Sequence, residues 1–259
     1  MNLQLVRVSL ALARRAVRNA FRRPQFLAPL ILFPSLFLAV NVGGLHRSTD
    51  LPGFPPVHGF LDFQLAAAIT QSLLLGGISQ GIAAALDIEG GFFDRLAAAP
   101  IPRVAIVLGR LGATGMIASL QVTYFLVLGL IFGAHIEGGV AGAVVAVVIG
   151  SIAGIGFGAL GVALAMRAKS ASTLQGIFPL VFVILFLSTA FFPRALLEAP
   201  INTVARYNPL SYLADGIRDP IISSISAKPV LQGLLAGVAI TAIAGGLAVA
   251  ALRGRLREA

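Results

Sequence analysis

Six long apolar stretches recur along the chain, and each is continuous rather than alternating between apolar and polar positions. A helix of about 20 apolar residues crosses the hydrocarbon core of a bilayer, whereas a barrel strand alternates over about ten residues. The pattern therefore predicts an all-α polytopic membrane protein with six transmembrane helices in a single domain, residues 1–259. The predicted spans are residues 26–45, 65–86, 104–132, 140–166, 173–192 and 230–252.

The N-terminal segment, residues 1–24, has a different pattern. Its apolar residues recur at steps of three and four, and five arginines fall within an arc of about 100° on a helical projection. We predict a helix that lies in the inner membrane interface, with its apolar side in lipid and its arginines facing water and anionic headgroups. A mitochondrial transit peptide of similar composition is an alternative. The arginines are Arg7, Arg14, Arg15, Arg18 and Arg22.

Lysine and arginine are unevenly distributed between the segments that flank the spans. With the N-terminus inside, 14 of the 19 basic residues lie in inner segments and five in outer segments. The positive-inside rule then places both termini in the cytoplasm, and an even number of spans agrees with this. The net charge of +9 is thus explained by topology, so nucleic acid is not a predicted partner. We expect a bacterial plasma membrane as the location.

The composition excludes several other classes of protein. Hydrophobic residues make up 58% of the chain and charged residues only 11%, less than half of the roughly 25% of soluble domains. This excludes a disordered chain and argues against a soluble enzyme. Cysteine is absent, which removes disulfides and thiolate metal sites. Two His–Asp pairs with helical spacing flank a proline-rich segment, so no metal site is predicted.

The spans contain no evident group that could power transport. Ion-coupled carriers need carboxylates or histidines inside the membrane, but all three histidines fall in outer segments. Arg110, near the inner end of the third span, is predicted to reach the headgroups. The chain has no Gly-Lys pair and therefore no P-loop. The sequence G-I-S-Q-G at 77–81 lies in an apolar helix, not at a strand–turn–helix nucleophile elbow, so no catalytic residue is predicted.

Small and neutral polar residues within the spans favour helix packing. Glycines at four-residue steps let helix backbones approach closely in lipid, as at Gly150, Gly154 and Gly158. Neutral polar side chains favour hydrogen bonds between helices, although they are also compatible with the wall of a pathway for an amphiphilic solute. The candidate pathway residues are Gln71, Gln80, Gln121, Thr123, Tyr124 and Gln175.

The loop between the second and third spans, residues 87–103, is acidic at its start although it lies on the predicted inner side. Such acids oppose the positive-inside trend, so we infer that they have a purpose other than topology. A helix from about residue 88 to 98, ended by Pro100 and Pro102, would present Phe92, Phe93 and Leu96 beside the acids. This loop is predicted to dock a soluble partner.

The outer segment after the fifth span, residues 193–225, is moderately apolar but interrupted by prolines and charges. It is too interrupted for a seventh span. Two short helices that dip into the outer leaflet would suit it, provided that their charges face water or each other.

Both loops resemble those of type-2 ABC exporter permeases. In that family the inner loop carries an acidic pair, a glycine, another acid, a leucine, a proline and a basic residue at fixed spacing. The outer segment of the family is a proline-bounded re-entrant hairpin that leads to an Asn-Pro-hydrophobic motif and a later arginine. The inner positions here are Asp87, Glu89, Gly91, Asp94, Leu96, Pro100 and Arg103. The outer positions are Pro193, Pro200, Asn208, Pro209, Leu210, Tyr212 and Arg218.

The resemblance implies the membrane half of an ABC exporter, with a cytoplasmic coupling helix in residues 87–103 and an outer gate in residues 193–225. The implied partners are two separate ATPase subunits, a second copy of the chain or a related permease, and membrane lipid. The ATPases would hold ATP and Mg²⁺, and this chain would bind no cofactor. The implied substrate is a drug, an antibiotic or a lipid. A polysaccharide or glycolipid exporter, an ion-coupled carrier, a channel and an intramembrane enzyme are the alternatives.

Overall fold

A computed structural model describes residues 3–22, 24–92, 95, 103–168 and 170–258 of the chain. Within these ranges the protein contains nine α-helices and no β-strand, which confirms the all-α fold class. Two short 3₁₀ turns, His46–Asp50 and Arg194–Leu196, accompany them. The helices are α1 (Leu3–Arg22), α2 (Pro24–Leu45), α3 (Phe60–Glu89), α4 (Arg103–Ile131), α5 (Gly139–Ala168), α6 (Ala171–Phe186), α7 (Ile201–Tyr207), α8 (Pro209–Ile222) and α9 (Ala227–Glu258).

Five helical segments in the described part of the chain are long and apolar enough to cross a membrane. They correspond to α2, α3, α4, α5 and α9, and they overlap five of the six predicted spans. The remaining span is represented by α6, which has 16 residues. At 1.5 Å per residue α6 is about 24 Å long, somewhat less than the roughly 30 Å of the hydrocarbon core. The count of six spans therefore stays a prediction.

The end of α6 corrects one predicted boundary. The fifth span was predicted to reach residue 192, but the helix ends at Phe186. The amide of Asn208 donates to the carbonyl oxygens of Ile184 at 2.8 Å and Leu187 at 2.9 Å. These carbonyls belong to the last turn, where an α-helix has no internal donors left. A side chain distant in sequence therefore stabilises the helix end, and apolarity alone did not reveal it.

The glycine stripe of α5 faces α4. A Cβ atom at Gly150 would lie 2.5 Å from Val122 Cγ2, and a Cβ at Gly154 or Gly158 would also overlap a side chain of α4. Such contacts are shorter than real Cβ atoms make, so only glycine permits this approach of the two helices. The structure thus confirms that the stripe is used for packing.

Proline within α2 explains one of the polar contacts between helices. Pro34 has no N–H group, so the carbonyl of Leu30 loses its usual intrahelical donor. The hydroxyl of Ser72 on α3 donates to that carbonyl at 2.7 Å. The amide of Gln121 on α4 in turn donates to the Ser72 hydroxyl and carbonyl, both at 2.9 Å. Three helices are therefore joined by hydrogen bonds. For Gln121 this confirms the interpretation that neutral polar side chains within the spans bond one helix to another.

The N-terminal helix α1 packs against α4 at a close backbone approach. A Cβ at Gly109 would lie 2.6 Å from Leu12 Cβ and 3.0 Å from the carbonyl oxygen of Ser9. Leu10 and Phe21, in contrast, are 65% and 58% exposed. Part of the apolar face of α1 therefore contacts protein, and the rest is free to contact lipid. Its location in the membrane interface stays a prediction.

The contact between α1 and α4 can be tested by cross-linking, because the chain has no native cysteine. An ideal Cβ at Gly112 lies 3.7 Å from Ala13 Cβ, which is close to the usual Cβ separation in a disulfide. We expect the double variant Ala13→Cys/Gly112→Cys to form a disulfide under mild oxidation, detected by a mobility shift in a non-reducing gel. The pair Ala13→Cys/Gly245→Cys is the control, and equal cross-linking of both pairs would contradict the packing.

Candidate functional site

Three charged side chains from three helices meet at the C-terminal end of α3, which is predicted to face the cytoplasm. We call them the inner cluster: Arg15 of α1, Asp87 of α3 and Arg110 of α4. The carboxylate of Asp87 accepts a short hydrogen bond from Arg110 Nη2 and lies 3.4 Å from Arg15 Nη2. The side chains of Asp87 and Arg110 are only 21% and 13% exposed. One carboxylate is therefore shared by two guanidinium groups in a largely buried position.

The inner cluster corrects two predicted orientations. Arg110 was expected to reach the headgroups, and Arg15 was expected to face water with the other arginines of α1. Both instead turn toward Asp87, because a buried carboxylate without a partner is strongly unfavourable. Arg14 and Arg18, the neighbours of Arg15 on α1, are exposed as predicted.

Glu89 also makes a contact within the chain. Its Oε1 atom accepts a hydrogen bond of 2.8 Å from the backbone N–H of Ala171, the first residue of α6. The N-cap residue Ser170 makes no capping hydrogen bond with its own side chain, so Glu89 supplies the acceptor. A carboxylate at this position is also favoured by the helix dipole. Glu89 therefore joins the inner ends of α3 and α6.

The start of the predicted coupling helix is wrong. Residue 88 and Glu89 belong to the last turn of α3, and the chain then turns at Gly90 and Gly91. Gly91 has φ of +67°, a conformation that favours glycine. Phe92 follows, and its ring lies 3.5 Å from the guanidinium carbon of Arg15. Arg103 begins α4. The other predicted coupling residues, Phe93, Asp94, Leu96 and Pro100, lie outside the described residues.

On the outer side, Asn208 lies between α6 and α8. Besides capping the end of α6, its Oδ1 atom accepts from the backbone N–H of Leu210 at 3.0 Å, which caps the start of α8. Pro209 is the first residue of α8, where a missing N–H costs nothing. The Asn-Pro pair therefore ends one helix and begins the next.

Arg218 of α8 is the most extensively bonded buried charge in the described part of the chain. It donates to Asp215 Oδ1 at 2.7 Å, and to the carbonyls of Phe63 at 3.3 Å, Thr189 at 3.0 Å and Ala190 at 2.5 Å. Its guanidinium carbon also lies 3.9 Å from the centre of the Phe63 ring. Burial lowers the pKa of Arg218 and Asp215 partly restores it, but arginine stays protonated in proteins. Arg218 thus joins α8 to α3 and to the turn after α6. We call the contacts of Asn208 and Arg218 the outer junction.

The other predicted gate residues lie around this junction. Tyr212 donates through its hydroxyl to the carbonyl of Arg206 at 2.7 Å, and its ring lies beneath the guanidinium of Arg194 at 5.9 Å. Pro193 precedes the 3₁₀ turn and Pro200 caps α7. The two helices expected in residues 193–225 are α7 and α8. Their re-entry into the membrane stays a prediction.

The sequence did not single out Thr189 and Ser211, which complete the outer junction. The hydroxyl of Ser211 accepts from Thr189 N at 3.1 Å, and the hydroxyl of Thr189 donates to Asp215 at 2.9 Å. Asp215 and Arg218 lie three residues apart on one helix, a spacing at which opposite charges can pair. The threonine and the serine had no such indication, because each is paired only through the tertiary fold.

Comparison with known proteins now identifies the family. Residues 8–222 match the family described as ABC-2 type transporter. The chain belongs to this family. It is 27% identical over 210 residues to the putative transport permease ycf38 of Porphyra purpurea, covering 80% of this chain and 72% of the relative. It is 25% identical over 203 residues to the daunorubicin resistance ABC transporter permease protein DrrB1 of Streptomyces coeruleorubidus, covering 76% and 68%.

Membership of the ABC-2 family confirms what the sequence predicted about the class of protein. The chain is a multi-pass membrane protein and a permease, and no enzymatic family is indicated. Membrane domains of this family are transport subunits that have no ATPase motif of their own and normally work with ABC ATPases. The resemblance carried by the two loops was therefore correct.

The six candidate pathway residues of this ABC-2 permease occupy different environments. Gln121 is buried and hydrogen-bonded to Ser72. Gln71 is buried, and Gln80 lines a cavity beside the inner cluster. The remaining residues, Thr123, Tyr124 and Gln175, are exposed. Within one chain the six residues do not form a continuous wall, and their role in a pathway stays a prediction.

Two buried glutamines of α3 have amide atoms without a hydrogen-bond partner in the described part of the chain. Gln71 has neither its Nε2 nor its Oε1 atom paired, and Gln64 has an unpaired Oε1. Both line a narrow space that also borders Phe37 of α2 and Phe191 beyond α6. The rings of these phenylalanines are 5.1 Å apart, edge to face. Buried amide atoms favour a hydrogen-bond partner, and no other protein group in the described part of the chain supplies one here. We call the space bordered by Phe37, Gln64, Gln71 and Phe191 the seam.

Proposed function

We propose that this chain is the membrane-spanning permease subunit of an ATP-driven exporter, which moves a hydrophobic or amphiphilic compound out of the cytoplasm. The observation that carries the proposal is the match to the ABC-2 family over residues 8–222. The relative named for daunorubicin resistance supports a drug or antibiotic as substrate, with a lipid as the other member of the class.

The proposed assembly contains two permease chains and two separate ATPase subunits that hold ATP and Mg²⁺. The second permease is another copy of this chain or a related one. Each permease has six spans, with α6 as the short fifth span, and both termini lie in the cytoplasm. The excess of basic residues in the inner segments supports this orientation in a bacterial inner membrane.

Residues 87–103 transmit the movement of the ATPase in this proposal. The contacts at the inner end of α3 support this role. Asp87 is joined to α1 and α4, Glu89 is joined to α6, and Phe92 of the loop lies against Arg15. A displacement of the loop would therefore be passed to four helices through ion pairs and a capping hydrogen bond.

Variants of Glu89 separate docking from capping. Glu89→Gln keeps an oxygen that can accept from Ala171 N but removes the charge, whereas Glu89→Lys removes both. If the charge docks the ATPase, we expect Glu89→Gln to reduce co-purification with the ATPase several-fold and Glu89→Lys to reduce it about tenfold or more. Glu198→Gln, at an exposed outer acid, is the control. Full assembly and transport with Glu89→Lys would contradict the docking role.

The outer junction of Asn208 and Arg218 is the proposed closed gate. It holds α8 against α3 and against the turn that follows α6. In this proposal these contacts keep the seam between α2, α3 and Phe191 closed. Opening this seam would bring the amides of Gln64 and Gln71 into contact with water or substrate. Aromatic rings beside free amides suit an amphiphilic compound, which supports the proposed substrate class.

Reconstitution tests the proposed function. The chain and its candidate ATPase are incorporated into liposomes, and ATP turnover and export of fluorescent amphiphiles are measured. We expect amphiphiles to stimulate turnover, and transport to require ATP and the ATPase. Flux that is independent of the ATPase would instead favour a channel or an ion-coupled carrier. Stimulation by oligosaccharides alone would favour a polysaccharide exporter.

A further inference from the structure

A polar cavity adjoins the inner cluster on the side of α1. Its volume is about 90 Å³, enough for several water molecules and hence for a phosphate group. Arg15, Asp87 and Arg110 form one wall, and the amides of Asn19 and Gln80 form another. Leu27, Leu30 and Ala83 contribute apolar surface. We propose that this cavity binds the phosphate of an anionic phospholipid, an inference that rests on the proposed inner placement of α1.

The charges of the cavity favour an anion. Among the described residues, Arg15 and Arg110 face the single carboxylate of Asp87, which leaves one positive charge in excess. Glu89, the nearest described acid along α3, is engaged with Ala171 N. Arg110 is largely buried, whereas the side chain of Arg15 is 37% exposed and can therefore reach a ligand from outside. A phosphate oxygen would pair the excess charge at this position.

The hydrogen-bond donors of the two arginines also favour an anion in the cavity. A guanidinium group has five N–H donors in a planar fork that matches phosphate oxygens. Within the described part of the chain, Arg15 and Arg110 each direct one hydrogen bond to Asp87. Donors therefore remain for a ligand, and the amides of Asn19 and Gln80 can add two more. The carboxylate of Asp87 would orient both arginines rather than contact the ligand.

The surroundings favour a lipid over a soluble anion. Leu10 and Phe21 leave apolar surface exposed on α1, while Arg14 and Arg18 are exposed on the same helix. This combination is typical of a helix that lies among lipid headgroups. The leucines that line the cavity can contact the glycerol backbone and the start of an acyl chain. Inorganic phosphate carries the same group and is an alternative occupant of the cavity. An acidic side chain of the ATPase is an alternative occupant of a different chemical class.

The test uses the full-length chain without its ATPase. The protein is placed in nanodiscs of phosphatidylcholine with increasing phosphatidylglycerol, and its unfolding temperature is measured at constant ionic strength. We expect phosphatidylglycerol to stabilise the wild-type chain. Arg15→Gln should need about tenfold more of this lipid for half-maximal stabilisation, the range of one or two charge-assisted hydrogen bonds. Arg14→Gln removes an equal charge from the exposed face and should shift the requirement less than about twofold.

A second variant covers the possibility that Arg15→Gln disturbs the fold. Asn19→Leu keeps the inner cluster but fills the cavity, and it should also lose the response to phosphatidylglycerol. Inorganic phosphate, titrated against the chain in phosphatidylcholine nanodiscs, should stabilise it far less than the lipid does. Equal losses in Arg14→Gln and Arg15→Gln would overturn the proposal, as would saturation by inorganic phosphate alone. Displacement of the lipid by the ATPase, with loss of ATPase binding in Arg15→Gln, would assign the cavity to the partner. If the lipid proposal fails in this way, the chain should still transport amphiphiles in the reconstituted system, so the proposed function is tested separately.

Discussion

Arg218→Leu should destabilise the protein by about 3–5 kcal/mol and leave the outer junction open. The substitution removes four hydrogen bonds, of which three hold α8 to α3 and to the turn after α6 and one joins Arg218 to Asp215 within α8. It leaves the carbonyls of Thr189 and Ala190 in a buried position without these donors. Leucine cannot replace them, and the stacking of the guanidinium on Phe63 is also lost.

The measurement is the unfolding temperature of the purified chain in detergent, together with leakage of a small dye from liposomes that contain it. Arg206→Leu is the matched control, because Arg206 is exposed and lies in the same outer segment. Arg218→Lys keeps the charge but loses the planar guanidinium group. Its unfolding temperature should therefore lie between those of Arg218→Leu and Arg206→Leu. Equal unfolding temperatures for Arg218→Leu and Arg206→Leu would exclude the structural role of this arginine.

Gly161→Ala should destabilise the fold, although it adds only one methyl group. The new Cβ would overlap the carbonyl oxygen of Gly77 and lie 3.0 Å from the backbone N of Gly81, both on α3. These neighbours are backbone atoms, so no change of rotamer can relieve the overlap and α5 must move away from α3. We expect a loss of at least 1–3 kcal/mol, the usual range for overpacking a core.

Yield of monodisperse protein and unfolding temperature provide the measurement for the glycine variant. Gly245→Ala makes the same change in α9, where a new Cβ has no neighbour within 4 Å. This control should behave as wild type or slightly better, because alanine favours helix over glycine. If both variants behaved alike, the close crossing of α3 and α5 would be refuted.

Much of the fold could be predicted from the pattern of the sequence alone. A continuous apolar run has one stable form in lipid, a helix, because the backbone must satisfy its own hydrogen bonds there. The glycine steps of α5 and the Asn-Pro pair before α8 also have local physical meanings that hold in any context. The two loops therefore allowed the family to be recognised before the structure was known, and the family match confirmed it.

The candidate site was only partly predictable, as Asp87 illustrates. The sequence singled it out as an acid on the predicted inner side, but its partners lie 72 and 23 residues away in sequence. Arg15 was assigned to the water-facing set because helical projection separates polar from apolar faces and does not reveal a partner on another helix. The unpaired amide of Gln71 was equally invisible, since burial depends on neighbours from α2 and on Phe191.

The amino-acid sequence by itself determined which segments are helical, which residues can approach closely, and that the chain contains no P-loop. Those properties depend on residue type and on spacing along one helix. Only the tertiary structure decided that Asp87 joins α1 to α4 and that Glu89 accepts a hydrogen bond from the first residue of α6. It also decided that Asn208 caps the end of α6 and that Arg218 joins α8 to α3 and to the turn after α6. Each of these contacts spans more than 20 residues, and a charge buried by folding must find whichever partner the packing of helices brings within reach.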